Sequence, residues 1–152
     1  MSRFKNYLES ILVSLGLGIL VSLLLRGSFN YDDLVKPPLA PPQILFPIVW
    51  TILYTLMGIS YGVLKEKRLN TNEIRSVYYS QLFVNLIWPL IFFGLELRGI
   101  ALIIIVVLVL LVIRMIIEFY NKNKLAGLLQ VPYLVWLIFA TYLKYQAYIL
   151  NR

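Results

Sequence analysis

Between Gln43 and Leu64 the chain carries no charged side chain, and just before that run four prolines, Pro37, Pro38, Pro41 and Pro42, crowd together. Proline fixes φ and removes a backbone donor, so the connector cannot continue as helix. A hydrocarbon core about 30 Å thick needs ~20 apolar residues at a rise of ~1.5 Å each, and Ile44 to Leu64 meets that length. The stretch reads as a stiff connector that leads into a membrane helix. Within it Trp50, Tyr54, Met57 and Tyr61 recur at helical spacing and give one aromatic, polarisable face. Gly58 and Gly62 form a GxxxG, where another helix or a flat ligand can approach the backbone closely. Interhelical packing and ligand contact both fit this face.

Composition extends the same reading to the whole chain. Hydrophobic residues make up 61% of its 152 residues and charged ones 14%, against roughly 45–50% and 25% in soluble domains. One integral membrane domain over residues 1–152 follows. There is no cysteine and no histidine, which removes disulfides, thiolate and imidazole metal ligation, a cysteine nucleophile and histidine general-base chemistry; no metal site is expected. The net charge of +7 does not point to nucleic acid, because the basic residues are scattered over short connectors where they set topology and meet headgroups.

In chain order, the first span covers residues 8–25 and is charge-free from Ser10. No small-x-small cleavage pattern follows Arg26, so it reads as a retained span rather than a signal peptide. Ser10, Ser14 and Gly18 form a small-residue stripe suited to close packing. The long connector 27–43, with Tyr31 and the prolines, is expected to act as a lid or binding loop. After the first aromatic span, 44–64, comes a third over 76–95, with Gln81, Asn85 and Trp88 on one face and Pro89 as a kink site. An amide at that depth must bond a neighbouring helix or a ligand. The fourth span, 99–117, is a Leu/Ile/Val run read as lipid-facing scaffold, and the fifth, 125–143, carries Pro132, Tyr133, Trp136, Phe139 and Ala140. The expected architecture is an all-α bundle of five transmembrane helices. With that topology Arg3, Lys5, Lys65, Lys67, Arg68, Arg75, Arg114, Lys122 and Lys124 share the N-terminal side against five basic residues opposite, which places the N-terminus in the cytoplasm.

The three tryptophans follow a pattern of their own. Trp50, Trp88 and Trp136 each lie seven residues from a helix end that opens on the side of the proline connector, about 10 Å deep at 1.5 Å per residue. An interfacial belt sits nearer the helix ends and decorates both sides. The depth therefore favours an aromatic pocket inside the bundle, roofed by residues 27–43, in which indoles stack on a planar ligand. Arg26 and Lys36 at its mouth suit acidic groups of that ligand.

The connector and second span, with Val49, Trp50, Thr51, Leu53, Tyr54, Met57 and Gly58 following the proline run, resemble the TspO/MBR family of tryptophan-rich sensory proteins and translocator (peripheral benzodiazepine receptor) proteins. The segments QLFVNLIWPLIFFGLE and PYLVWLIFATYLKYQAYILN extend the resemblance over most of the chain. It departs at Leu39, where many members carry tryptophan, and at Lys144, where asparagine is usual. The resemblance implies a five-helix bundle, commonly a homodimer in the lipid bilayer of a bacterial cell membrane. It implies binding of protoporphyrin IX or a haem-like tetrapyrrole, and in some members of sterols and benzodiazepine-type ligands. Matching pocket positions are Tyr31, Trp50, Asn85, Trp88, Trp136 and Ala140, to which the aromatic face adds Tyr54.

Four functions stay open at this stage. A receptor or carrier for a tetrapyrrole needs no catalytic residue and no cofactor beyond the ligand itself. A light- and oxygen-dependent porphyrin-degrading enzyme, as reported for some relatives, would use Trp50 and Trp136 as electron or hydrogen donors to the photoexcited pigment. A small transporter would be expected to hold ionisable groups inside its spans, where this chain offers only Arg114. A structural membrane protein would leave the shared depth of the tryptophans without a reason.

Overall fold

The structure, a computed structural model, describes residues 2–24, 45–91 and 98–150. All regular elements among them are helices: α1 (Ser2–Leu24), α2 (Leu45–Glu66), α3 (Asn72–Pro89), α4 (Arg98–Lys122), the short α5 (Lys124–Leu128) and α6 (Val131–Leu150). Four segments are long and apolar enough to cross a membrane: Phe4–Leu24, Ile48–Glu66, Gly99–Lys122 and Lys124–Leu143. The third expected span is not among them. Its helix begins at Asn72 and carries Glu73, Arg75, Ser76, Ser80, Gln81 and Asn85, which dilute its hydropathy, and positions 92–95 of that span lie outside the described residues. α3 packs along α4 and touches α1, so it belongs to the bundle by contact rather than by composition.

Short turns join antiparallel neighbours. After α2, Leu69 N–H returns to the Leu64 carbonyl at 2.8 Å while Arg68 adopts φ 57°, the left-handed conformation that ends many helices. Thr71 then caps α3 by accepting from Ile74 N–H, and Asn123 caps α5 by accepting from Ala126 N–H at 3.1 Å. The expected 125–143 span is interrupted by a tight turn at residues 129–130, where Gln130 N–H bonds the Gly127 carbonyl. At the kink site, the helix passes beyond Pro89 into a wider π-type turn at residues 90–91.

Expected as lipid-facing scaffold, α4 instead runs through the centre of the core. Ala101, Ile105, Leu108, Val112, Met115 and Phe119 are all buried, at alternating intervals of four and three residues that form one seam, while Ile103, Leu110 and Ile117 face outward. The uniform Leu/Ile/Val composition concealed that seam, because lipid and core accept the same residues. Met57, Leu64, Ile74, Tyr133 and Leu137 belong to the same buried core as this seam.

The small-residue stripes are consumed within the chain. A Cβ on Gly58 would lie 2.5 Å from Ile11 Cα, and one on Gly62 would lie 2.7 Å from the Tyr7 ring. α1 therefore rests directly on the backbone of α2. At the base of this seam Tyr7 OH donates to Glu66 Oε2 at 2.7 Å, and Lys65 Nζ lies 3.9 Å from Glu9 Oε1.

Candidate functional site

Asn85 is 1% exposed, and both ends of its amide are used. Tyr54 OH donates to Asn85 Oδ1 in a short hydrogen bond. Asn85 Nδ2 donates to Tyr133 Oη at 2.6 Å, Tyr133 OH donates to Gln81 Oε1 at 2.8 Å, and Gln81 Nε2 donates to the Tyr78 carbonyl at 2.8 Å and approaches Met57 Sδ at 3.6 Å. The bonds run in one sense, from α2 through α3 and α6 back to α3. In a low-dielectric interior each unmade bond would leave a costly orphan. The chain of donors thus pins three helices at one level.

Trp50 leans on that network. Its ring lies 5.6 Å from Tyr54, tilted, and 6.3 Å from Tyr133, edge-on, both favourable aromatic arrangements. Trp136 packs on Phe139 at 5.5 Å, and both Trp50 and Trp136 are half-buried against the core. Trp88 and Ala140 are buried, with 5% and 3% of their surface exposed. Tyr31, the connector 27–43 and the charges Arg26 and Lys36 lie outside the described residues.

Each tryptophan sits close in sequence to one member of the network: Trp50 precedes Tyr54 by four residues, Trp88 follows Asn85 by three, and Trp136 follows Tyr133 by three. Since α2 runs antiparallel to α3, these offsets put all three indoles on the same side of the hydrogen-bonded level, one turn away. Sequence reasoning found Asn85 and Tyr54 but passed over Tyr133 and Gln81 as site members. The signal was present: Tyr133 stands to Trp136 as Asn85 stands to Trp88.

Chemically the arrangement offers aromatic faces above a neutral floor of amides and phenols. Among the described residues the buried polar side chains other than tyrosine and tryptophan are Ser10, Ser14, Ser60, Gln81, Asn85 and Gln130, none of them charged. Stacking and hydrogen bonding are what such groups can do. Among the described residues, acid–base catalysis has no carboxylate or imidazole to draw on at this level.

Comparison with known proteins gives a consistent result. The family model described as TspO/MBR matches residues 10–150. The chain is 36% identical over 145 residues to the tryptophan-rich protein TspO of Archaeoglobus fulgidus, covering 93% of this chain and 94% of that one. It is 36% identical over 129 residues to a tryptophan-rich sensory protein of Cereibacter sphaeroides, covering 84% and 80%. To the human translocator protein it is 37% identical over 119 residues, covering 76% and 70%.

Proposed function

The chain belongs to the TspO/MBR family and is an integral membrane protein, and from that premise we propose that it is a receptor or carrier that binds a planar tetrapyrrole, protoporphyrin IX or a haem-like relative, in the tryptophan-lined part of the bundle. One observation carries the reading: Trp50 is packed on two tyrosines whose hydroxyls are tied to Asn85, so the indole face is held in place before any ligand arrives. Preorganised aromatic surface above a satisfied polar layer suits a flat, largely apolar molecule. Sterols and benzodiazepine-type ligands share those properties and belong to the same proposal.

The sensory and translocator names of the relatives fit a protein that reports or passes on a bound ligand. The cell membrane of a bacterium is the proposed location, with the N-terminus in the cytoplasm, supported by the basic residues at the N-terminal end of the bundle. A homodimer is also proposed. Its interface lies elsewhere than the Gly58/Gly62 stripe, which α1 already covers.

The test is a titration of detergent-solubilised protein with protoporphyrin IX in the dark and then under light, following tryptophan emission and porphyrin absorbance beside Trp50→Phe and Trp136→Phe. Saturable quenching with stable porphyrin bands is the expected outcome for a receptor or carrier. Light-dependent loss of the bands that disappears in the two variants would establish the porphyrin-degrading alternative instead. Quenching no greater than that of a detergent blank would end the tetrapyrrole reading.

A further inference from the structure

Helix α1 supplies none of the site residues expected from the sequence, yet two of its positions bear on Tyr54. Ser14 Oγ donates to the Tyr54 carbonyl oxygen at 2.8 Å, a buried bond between α1 and α2. One turn along, Gly18 leaves the space that the Tyr54 ring fills, since a Cβ there would lie 2.5 Å from Cε2 and 2.8 Å from Cδ2 of that ring. Gly16, two residues earlier on the same helix, has nothing within 4 Å of such a Cβ. The close fit is therefore specific to the face turned toward Tyr54.

Ordinary contact between carbon atoms begins near 3.5 Å, so a single methyl group at position 18 requires a displacement of roughly 1 Å. A retreat of α1 as a body would strain the Ser14–Tyr54 and Tyr7–Glu66 hydrogen bonds that tie it to α2 and open the close packing at Gly58 and Gly62. The tyrosine ring is what yields. Its hydroxyl is bonded to Asn85 and its centroid lies 5.6 Å from Trp50, and a hydrogen bond weakens steeply as its geometry is lost.

We propose that Gly18 and Ser14 are positioning residues of the candidate site: α1 sets the angle of Tyr54, and through it the Asn85 bond and the seat of Trp50. The assignment deepens the tetrapyrrole reading and, where it concerns affinity, rests on it. The experiment compares Gly18→Ala with the control Gly16→Ala, in the wild-type and Tyr54→Leu backgrounds. It reads tryptophan emission and near-ultraviolet circular dichroism of the unliganded protein, dark affinity for protoporphyrin IX, and the thermal midpoint.

Gly18→Ala is expected to change the tryptophan signals and to weaken affinity about tenfold, equivalent to ~1.4 kcal/mol, while Gly16→Ala does neither. In the Tyr54→Leu background the Gly18→Ala effect should fall below about twofold, the non-additivity expected of two groups in contact. Ser14→Ala adds no volume and serves if Gly18→Ala fails to fold; it should shift the tryptophan signals in the same direction. Unchanged signals in both variants, or an undiminished Gly18→Ala effect without the tyrosine ring, would overturn the proposal. If wild-type protein does not bind porphyrin, the tetrapyrrole reading falls, whereas the unliganded tryptophan signals still decide the role of α1.

Discussion

Two tyrosine-rich clusters lie in the same bundle and are held by different forces. Around Trp50, the hydroxyls of Tyr54 and Tyr133 donate to the amides of Asn85 and Gln81, and the helices are joined through those bonds. Nearer the α2–α3 turn, Tyr61 and Tyr78 stack at 4.3 Å with rings 5° from parallel, and Phe119 stacks on both at 6.5 and 6.1 Å. The Tyr78 hydroxyl there is buried near Ser14 and reaches no amide side chain. What separates the clusters is what joins the helices. Through Asn85 and Gln81 the phenols become directional ties between helices, whereas around Phe119 the rings of Tyr61 and Tyr78 act as stacked flat plates.

Substitutions can break that contrast. Phe119→Ala should be the most damaging, destabilising the stacked half by about 3–5 kcal/mol through lost packing and a cavity, read as the shift in reversible unfolding in mixed micelles. A loss no larger than that of an exposed Leu→Ala change would mean that ring stacking does not hold this end together. Asn85→Leu keeps the volume but leaves the buried Tyr54 hydroxyl without its acceptor and removes the bond that Tyr133 accepts, and should lower stability by roughly 2–3 kcal/mol and alter tryptophan emission. Unperturbed emission would show that Trp50 is seated without the network.

A finer comparison uses the same chemical change twice. Tyr133→Phe removes a donor to Gln81 and an acceptor for Asn85, and should destabilise the protein by about 1–2 kcal/mol. Tyr78→Phe removes a hydroxyl that lies near Ser14 but reaches no amide, and should cost less, no more than ~0.5 kcal/mol. Equal losses in the two variants would erase the distinction between a tied and a plated cluster.

The helices and the family were legible in the residues themselves. Charge-free runs of membrane length, the proline connector and the V-W-T-x-L-Y-x-x-M-G pattern need no fold to be recognised. Tyr54, Asn85 and the three tryptophans could be singled out because an amide or an indole at depth is rare enough to stand out against aliphatic residues. Tyr133 and Gln81 were harder to assign, since a tyrosine in a tyrosine-rich helix and a glutamine facing inward announce no partner. The core seam of α4 was hidden for the opposite reason: with every position apolar, periodicity carries no contrast between the face that meets protein and the face that meets lipid.

What the sequence determined by itself is therefore local and compositional: which segments are helical and apolar, where prolines interrupt them, and that, Arg114 apart, the strongly polar side chains deep in the spans are amides and hydroxyls. Tertiary structure decided pairings. That Gly58 and Gly62 receive α1, that Ser14 and Gly18 flank Tyr54, and that Asn85 joins Tyr54 to Tyr133 depend on which helix faces bring residues far apart in sequence within a few ångströms. Helical periodicity fixes the face of each residue on its own helix, but the choice of the opposing face is made by shape and hydrogen-bond satisfaction across the whole bundle.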